Sequence, residues 1–201
     1  MSIINVLMLL TLAVIIILGG YQVYFFPQNH PIRKALVYPN RFDDLIPFKP
    51  HFIWIYSFIY YPFIVSIVLA VNTVSEFVYV SISFLILIFV HVIFFFLFPV
   101  STPINWRNYD KDKNLSTKFL NFVQGYDKAS NCFPSMHVAI ATLSAAHLTY
   151  LLPLYGIYFY SIPLLITLSC LFTKQHYILD TLGGAVTGKV AFSLYLLVQA
   201  S

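Results

Sequence analysis

Six long apolar stretches run along the chain, and polar segments of very unequal length separate them. They cover approximately Ile3–Phe26, His51–Val71, Phe77–Phe98, Met136–Leu154, Tyr155–Thr173 and Ile178–Val198. Each is near the length of about 20 residues that an α-helix needs to cross a bilayer. The stretches are apolar on every side and do not alternate with the period of two that barrel strands show. The pattern therefore predicts an all-α fold, a bundle of six transmembrane helices.

Composition agrees with a protein built inside a membrane. Of the 201 residues, 60% are hydrophobic and only 9% are charged, whereas a soluble domain carries about 25% charged residues. Six helices of this length take up about 120 residues, so we expect residues 1–201 to form one multi-pass integral membrane domain. The first apolar stretch has no basic segment before it and is too long for the apolar part of a signal peptide, so we expect it to remain in the mature protein.

The few charged residues lie mainly on one face of the predicted bundle. Because six spans alternate sides, the polar segments Pro27–Pro50, Pro99–Pro134 and Lys174–Tyr177 share that face. Together with the start of the last stretch, they hold ten of the eleven Lys and Arg residues and six of the seven Asp and Glu residues. Bases between membrane spans favour the bilayer and anionic lipid groups as partners over nucleic acid. We expect an active site at this membrane interface.

Two side chains at the entry to the last stretch form the first candidate site. His176 and Asp180 are four residues apart, which places both on one face of a helix. A carboxylate bound to one ring nitrogen fixes the tautomer and leaves the other nitrogen with its lone pair outward, as a nucleophilic imidazole requires. An ordinary polar pair at a helix start would show the same spacing.

A second candidate segment lies directly before the fourth stretch. Ser135 is in an N-cap position, where the free amides of the first helical turn form an anion site. His137 lies within that first turn and could donate a proton to a leaving oxygen. A plain capped helix with an interfacial histidine is the alternative. With the histidine–carboxylate pair on the same face, the two segments supply the parts that phosphoryl transfer requires.

These two segments carry a resemblance to a known family. Phe133–His137 resembles the second motif, and His176–Asp180 followed by Gly183 and Gly184 resembles the third motif, of the type 2 phosphatidic acid phosphatase superfamily. These are membrane enzymes that hydrolyse or transfer lipid-linked phosphates. The resemblance implies that His176 forms a phosphohistidine, that Asp180 orients it and that His137 protonates the leaving group. It further implies that Ser135 binds phosphate and that neither a metal nor another cofactor is needed.

The chain departs from the family pattern at its bases. Phe95, Thr102 and Cys170 stand where the first and third motifs carry Lys or Arg. We expect other cations from the polar segments to contact phosphate instead, and these are Arg107, Lys128 and Lys174. The sequence also resembles the branch that holds inositol-phosphorylceramide and sphingomyelin synthases, which lack the usual first motif. Fewer fixed cations suit the single charge of a phosphodiester better than a phosphomonoester dianion, so headgroup transfer is an alternative to phosphate hydrolysis.

Two further interpretations stay open. A catalytically silent protein could keep this fold and bind lipid, and His137, His176 and Asp180 could instead hold a metal ion. Sidedness is also open: the positive-inside rule places the face that holds the bases in the cytoplasm, whereas the family resemblance implies an extracytoplasmic face, which we take as the expectation. The oligomeric state is not determined by the sequence.

Several other residues are expected to be structural. His91 and His147 lie within spans, and we expect them to be packed or hydrogen-bonded between helices. We expect Asp43 and Asp44 to belong to a surface loop and the aromatic segment Trp54–Tyr61 to form an interfacial belt. The spacing of Gly184 and Gly188 predicts close helix packing.

Overall fold

The computed structural model describes residues 1–38 and 40–200, and these residues are mainly helical. Position 39, within the predicted Pro27–Pro50 segment, and position 201, at the end of the expected 1–201 domain, lie outside the described residues. In chain order, the helical elements are α1 (Ile3–Asn29), α2 (Arg41–Asp44), α3 (Pro50–Ala70), α4 (Val74–Leu97), α5 (Leu115–Tyr126), α6 (Met136–Leu151), α7 (Pro153–Phe172) and α8 (Ile178–Gln199).

The membrane-spanning character of the chain is confirmed. Among the described residues, α1, α3, α4, α7 and α8 are each long and apolar enough to cross a bilayer. The fourth predicted stretch forms the shorter helix α6, which ends at Leu151 because a 3-10 turn begins at Pro153. At 1.5 Å per residue, its 16 residues extend for about 24 Å, less than the hydrocarbon thickness of about 30 Å.

Helix α6 lies at the centre of the fold. Eleven of its 16 residues are buried, and it packs against α3, α4, α7 and, most extensively, α8. Contact with α8 is close because a Cβ added at Gly184 would lie 2.4 Å from the carbonyl oxygen of Ser135, and one at Gly188 would lie 2.5 Å from that of Ala139. The predicted role of this glycine pair in helix packing is confirmed.

Helix α1 is much less enclosed. Only 6% of its most apolar 18-residue window is buried inside the protein, and it packs mainly against α4 and α3. Between these helices lies an apolar cleft whose wall includes Gly20, Tyr24, Phe84 and Ile88 and, at one end, His137. The cleft brings a hydrocarbon-lined space to the first turn of α6.

The polar segments are fixed to one another by backbone pairing. Leu36 and Asn131 form isolated parallel bridges with Val100, which lies between them. The segment after α4 also contains α5, an amphipathic helix that begins with a capping box between Asn114 and Thr117. This helix is not one of the six predicted stretches because it is short and half polar. These contacts give the face that carries the bases a defined shape.

Candidate active site

The histidine–carboxylate pair lies at the beginning of α8. His176 and Asp180 are 4% and 2% exposed, and Nδ1 of His176 lies 3.5 Å from Asp180 Oδ2 and 3.0 Å from the carbonyl oxygen of Cys132. Because a carbonyl oxygen only accepts, Nδ1 carries the proton. Nε2 makes no hydrogen bond within the described part of the chain, so the tautomer leaves its lone pair available. Asp180 also accepts from the Tyr177 amide at 2.9 Å.

The second histidine lies on the first turn of α6, facing the pair. The ring centroids of His137 and His176 are 6.3 Å apart. Nδ1 of His137 lies 3.1 Å from the Tyr56 hydroxyl, and the rings of Tyr56 and Tyr60 lie against it, with centroids at 4.2 Å and 5.2 Å. Both tyrosines belong to or border the π-helical turn Ile55–Ile59 of α3, a type of turn frequent at functional sites.

Tyr56 is a residue that the sequence interpretation missed. The segment Trp54–Tyr61 was expected to form an interfacial belt, and its aromatic composition agrees with that expectation. The structure nevertheless directs Tyr56, only 6% exposed, towards His137. The sequence signal for this contact is weak because the two residues are 81 positions apart.

Ser135 occupies the predicted N-cap position of α6, although its side chain does not cap the helix. Its amide donates to the carbonyl oxygen of Asp180 at 2.9 Å. The hydroxyl is fully buried and, apart from the neighbouring Cys170 thiol, has no partner in the described residues. The starts of α6 and α8 are thus joined, and a buried hydroxyl remains available between them.

Two of the three predicted cations already contact backbone carbonyl groups. Nη1 of Arg107 donates to Gln124 and Asp127 at 3.2 Å and 2.9 Å, whereas its Nη2 is buried without a partner in the part of the chain described. Nζ of Lys174 donates to the carbonyl oxygen of Asp43 at 2.6 Å. Burial lowers the pKa of this lysine, and nearby acidic groups act in the opposite direction. Each cation therefore has part of its donor capacity occupied.

The third predicted cation has different surroundings. Nζ of Lys128 donates to Asn29 at 2.8 Å, and its amide donates to Gln28 at 3.2 Å. It lines an open cavity of about 410 Å³ together with Arg33 and Lys34. The structure thus groups Lys128 with the bases that follow α1 rather than giving it a contact to either histidine.

Asp43 is not part of a surface loop, so that expectation was wrong for this residue. It is 1% exposed, and its Oδ1 accepts from the amide of Ile178 at 2.7 Å. Helix α8 begins with free amides that need acceptors, and Asp43 satisfies one of them from α2. Burial raises the pKa of this carboxyl, which the hydrogen bond from Ile178 partly offsets. Asp44 is exposed, as expected.

Further unpartnered donors surround the histidine–carboxylate pair. Among the described residues, Oγ1 of Thr102 and Nε2 of Gln175 are buried and make no hydrogen bond. Gln175 directly precedes His176, and its carbonyl oxygen lies 3.7 Å from the Cys132 thiol. Neutral donors therefore lie near the site where the family pattern has bases. Sequence analysis did not identify Gln175 because a glutamine in a loop carries no spacing signal.

The residues fit a metal ion poorly. Cys132, His176 and Asp180 each offer a ligand atom within 4.8 Å of the others. This group differs from the one considered from the sequence, because Cys132 takes the place of His137. Metal binding needs a thiolate, yet the Cys132 thiol lies 3.3 Å from the carbonyl oxygen of Ala129 as a donor and burial raises its pKa. The Nδ1 proton of His176 also faces a carbonyl oxygen.

The remaining span histidines have structural contacts, as expected. His147 is fully buried, and its Nε2 lies 2.8 Å from the Ser83 hydroxyl on α4. His91 is also fully buried, and its Nδ1 lies 2.9 Å from the carbonyl oxygen of Leu87. Both side chains are hydrogen-bonded within the helical bundle.

The fold and the site together define an α-helical membrane protein with two histidines and a carboxylate at the ends of neighbouring helices. The chain belongs to the PAP2 superfamily, whose family model matches residues 42–194. No curated protein and no solved structure matches the chain. The matched region includes both histidine segments. Membership supports an enzyme of the phosphatase or phosphotransferase type that acts on lipids.

Proposed function

We propose that the protein is a metal-independent lipid-phosphate phosphatase that forms a phosphohistidine on His176. The observation that carries this proposal is the state of the imidazole: Nδ1 faces the Cys132 carbonyl oxygen at 3.0 Å with Asp180 at 3.5 Å, and Nε2 is free of hydrogen bonds in the described chain. A carboxylate next to Nδ1 stabilises the positive charge that the ring gains when Nε2 attacks.

The first chemical step transfers the phosphoryl group to the enzyme. Nε2 of His176 forms a bond to phosphorus, and the bond from phosphorus to the lipid alcohol oxygen breaks. His137 gives a proton to that oxygen as it leaves, which releases the free lipid alcohol. The ring centroids of the two histidines are 6.3 Å apart, so one phosphate group bound beside them can contact both rings.

The second step regenerates the enzyme. Water attacks the phosphorus of the phosphohistidine, the bond to Nε2 breaks, and inorganic phosphate leaves. His137, deprotonated in the first step, accepts the proton of the attacking water. The hydrogen bond between the Tyr56 hydroxyl and Nδ1 of His137 holds the orientation of the His137 ring through both steps.

We assign phosphate binding mainly to buried donors that lack a partner. Within the described residues these are Gln175 Nε2, Thr102 Oγ1 and Arg107 Nη2, together with Ser135 Oγ, whose one hydrogen-bonding neighbour is the Cys170 thiol. Donors held in a buried site stabilise developing charge more strongly than donors in water. Lys174 adds positive charge through its position beside the same turn, although its ammonium group already binds Asp43.

The test is a comparison of lipid substrates with the purified protein. A lipid phosphomonoester and several phosphodiesters are offered with and without EDTA, and free phosphate and headgroup-labelled products are followed. His176→Ala should lose all turnover, whereas His30→Ala, an exposed histidine after α1, should keep it. Activity that survives His176→Ala would overturn the nucleophile assignment, and loss with EDTA would overturn metal independence. The absence of any turnover would favour the silent lipid-binding alternative.

Headgroup transfer is the second candidate, as in inositol-phosphorylceramide or sphingomyelin synthases. It is favoured by the carbonyl contacts of Arg107 and Lys174, which occupy hydrogen-bond donors that a phosphomonoester dianion would need. In this case the hydroxyl of a lipid acceptor replaces water in the second step. Faster phosphate release from a monoester than transfer from any diester would count against it.

We further propose that α6 completes a bundle of six spans in one membrane domain, with the two histidines facing the extracytoplasmic side. Its enclosure by other helices supports a crossing helix that is shorter than the bilayer is thick. Six spans place both chain ends on the same side, whereas five place them on opposite sides. Reporter fusions at each end distinguish the two counts, and a reporter inserted at Asp110 gives the side of the catalytic face.

A further inference from the structure

The cavity that contains Lys128 has a basic wall. Its basic residues come from two segments far apart in sequence: Arg33 and Lys34 follow α1, and Lys128 follows α5. No acidic residue lies among the described residues that form its wall. The nearest carboxylate along the chain, Asp127, accepts from the Tyr24 hydroxyl and the Ala129 amide. Three basic residues thus line the same space, and no acidic side chain lies between them in the described part of the wall.

The cavity also contains a buried amide that lacks one partner. Asn131 is 1% exposed, and its Nδ2 donates to the carbonyl oxygen of Tyr24 at 2.6 Å. This bond fixes the amide and leaves Oδ1 as a buried acceptor without a partner in the described chain. The neighbouring Ser130 hydroxyl is in the same condition. A buried polar group without a partner is costly. The Ser130 hydroxyl can donate to a phosphate oxygen, and Asn131 Oδ1 can accept from a protonated phosphate oxygen or from a hydroxyl group of the headgroup.

The backbone around the cavity is held in place. Leu36 donates to the carbonyl oxygen of Pro99 at 2.9 Å and accepts from Ser101 at 2.8 Å, and Cys132 donates to that of Val100 at 3.0 Å. Three segments therefore lie side by side, with the bases directly before the first of them. The shape of the cavity follows from these hydrogen bonds and not only from flexible side chains.

The cavity lies close to both histidines. Asn131 in its wall donates to the carbonyl oxygen of Tyr24, whose ring centroid lies 6.5 Å from that of His137. Asn131 also directly precedes Cys132, whose carbonyl oxygen accepts from Nδ1 of His176, and adjacent Cα atoms are about 3.8 Å apart. The wall of the cavity is therefore within the length of a lipid headgroup whose phosphate is bound beside the two histidines. We propose that this cavity binds a second anionic group of the substrate lipid, a further phosphate or phosphorylated hydroxyl beyond the reacting phosphorus. The inference rests on the proposed function and specifies its substrate class.

The test compares lipids that differ in their second charge. KM and kcat are measured in neutral detergent for phosphatidic acid, for diacylglycerol diphosphate and for phosphatidylglycerol phosphate. For the double variant Arg33→Gln/Lys34→Gln, we expect KM to rise about tenfold for the two substrates with a second phosphate and much less for phosphatidic acid, since partly solvated charge contacts contribute modestly. The matched control Lys111→Gln/Lys113→Gln removes the same charge from the same face and should leave KM unchanged for all three lipids.

Binding measurements separate this inference from the catalytic proposal. A non-hydrolysable methylene-bisphosphonate lipid is titrated into His176→Ala protein with and without the double substitution, so that turnover is not needed. Weaker binding with the substitution supports the inference even if no substrate is turned over. Equal binding, or an equal KM change for all three lipids, would overturn it. Competition by free pyrophosphate, but not by phosphatidylglycerol, would show that the phosphate chemistry and not general lipid charge is recognised.

Discussion

The two sides of the helical bundle differ in how closely their helices approach. On one side, α6 and α8 meet at Gly184 and Gly188, where the backbone of one helix leaves no room for a Cβ on the other. On the other side, α1 is mostly exposed, and a Cβ added at Gly19 would have no described neighbour within 4 Å. His137 and His176, the candidate catalytic histidines, belong to the starts of α6 and α8, and the apolar cleft lies towards α1.

Under the proposed function, this difference suits the two sides to different roles. Chemistry between two side chains needs their relative position to be held within a fraction of an ångström, and backbone contact between α6 and α8 provides that. A lipid needs space and a route from the bilayer, which the loosely packed side offers. His137 lies at the boundary, because its ring faces His176 and also lines the cleft.

Replacement of His137, at the boundary between the two sides, should have the largest effect on kcat. We expect His137→Ala to lower kcat by about 10²- to 10⁴-fold, the usual contribution of a general acid, because the leaving alcohol would depart without a proton. Turnover of a lipid monoester in detergent gives the value. The matched variant His147→Gln, in a histidine buried away from the polar segments, should keep a kcat close to that of the wild type. An equal loss in both variants would show that folding and not proton transfer was affected.

Removal of the Asp43 carboxylate, which accepts from an amide at the start of α8, should have the next largest effect. Asp43→Ala removes the side-chain acceptor of the Ile178 amide but keeps the backbone carbonyl oxygen that Lys174 contacts, so the start of α8 and His176 with it would shift. We expect kcat to fall by up to about 10²-fold, the effect of a displacement of about 1 Å, with little change in KM. Asp44→Ala is the matched control and should behave as the wild type. A change confined to KM would contradict a positioning role for Asp43.

The packing difference itself can be tested by stability. Gly184→Ala forces a Cβ against the Ser135 carbonyl oxygen, and we expect a loss of about 1–3 kcal/mol in the free energy of unfolding. Gly19→Ala meets no neighbour and should change that free energy by less than about 1 kcal/mol. Thermal unfolding in one detergent compares the two. Similar effects at both positions would show that the two sides pack alike.

The smallest effect concerns pH. Burial raises the pKa of Asp43 in the folded protein above its ordinary value of 3.8. At pH values between the ordinary and the raised pKa, the folded protein therefore binds more protons than the unfolded chain. Wild-type stability therefore falls as pH rises through this window. Asp43→Asn keeps an oxygen acceptor for Ile178 but does not titrate. The melting temperature of the variant should rise relative to that of the wild type from pH 4 to 7. A constant difference would contradict the raised pKa.

Local features could be predicted from the sequence, and features that depend on distant contacts could not. The six stretches and their helical nature follow from hydropathy and length, and the His176–Asp180 pair follows from helical spacing. The contacts of Tyr56 and Asp43 join residues 81 and 135 positions apart, and no local pattern signals them. Helix α5 was missed for another reason, since an amphipathic helix in a polar segment lacks the hydropathy of a span.

The hydrogen bond between Asp43 and Ile178 also has a consequence for how the protein is made. Asp43 is synthesised 135 residues before its partner, so α2 has no docking surface while the first helices enter the membrane. Contacts of such long sequence separation form late, because the chain must lose the entropy of closing a long loop before the contact can stabilise it. The contact of Asp43 with Ile178 therefore forms only after α8 has been synthesised, so the surroundings of His176 are completed after the earlier helices have been made.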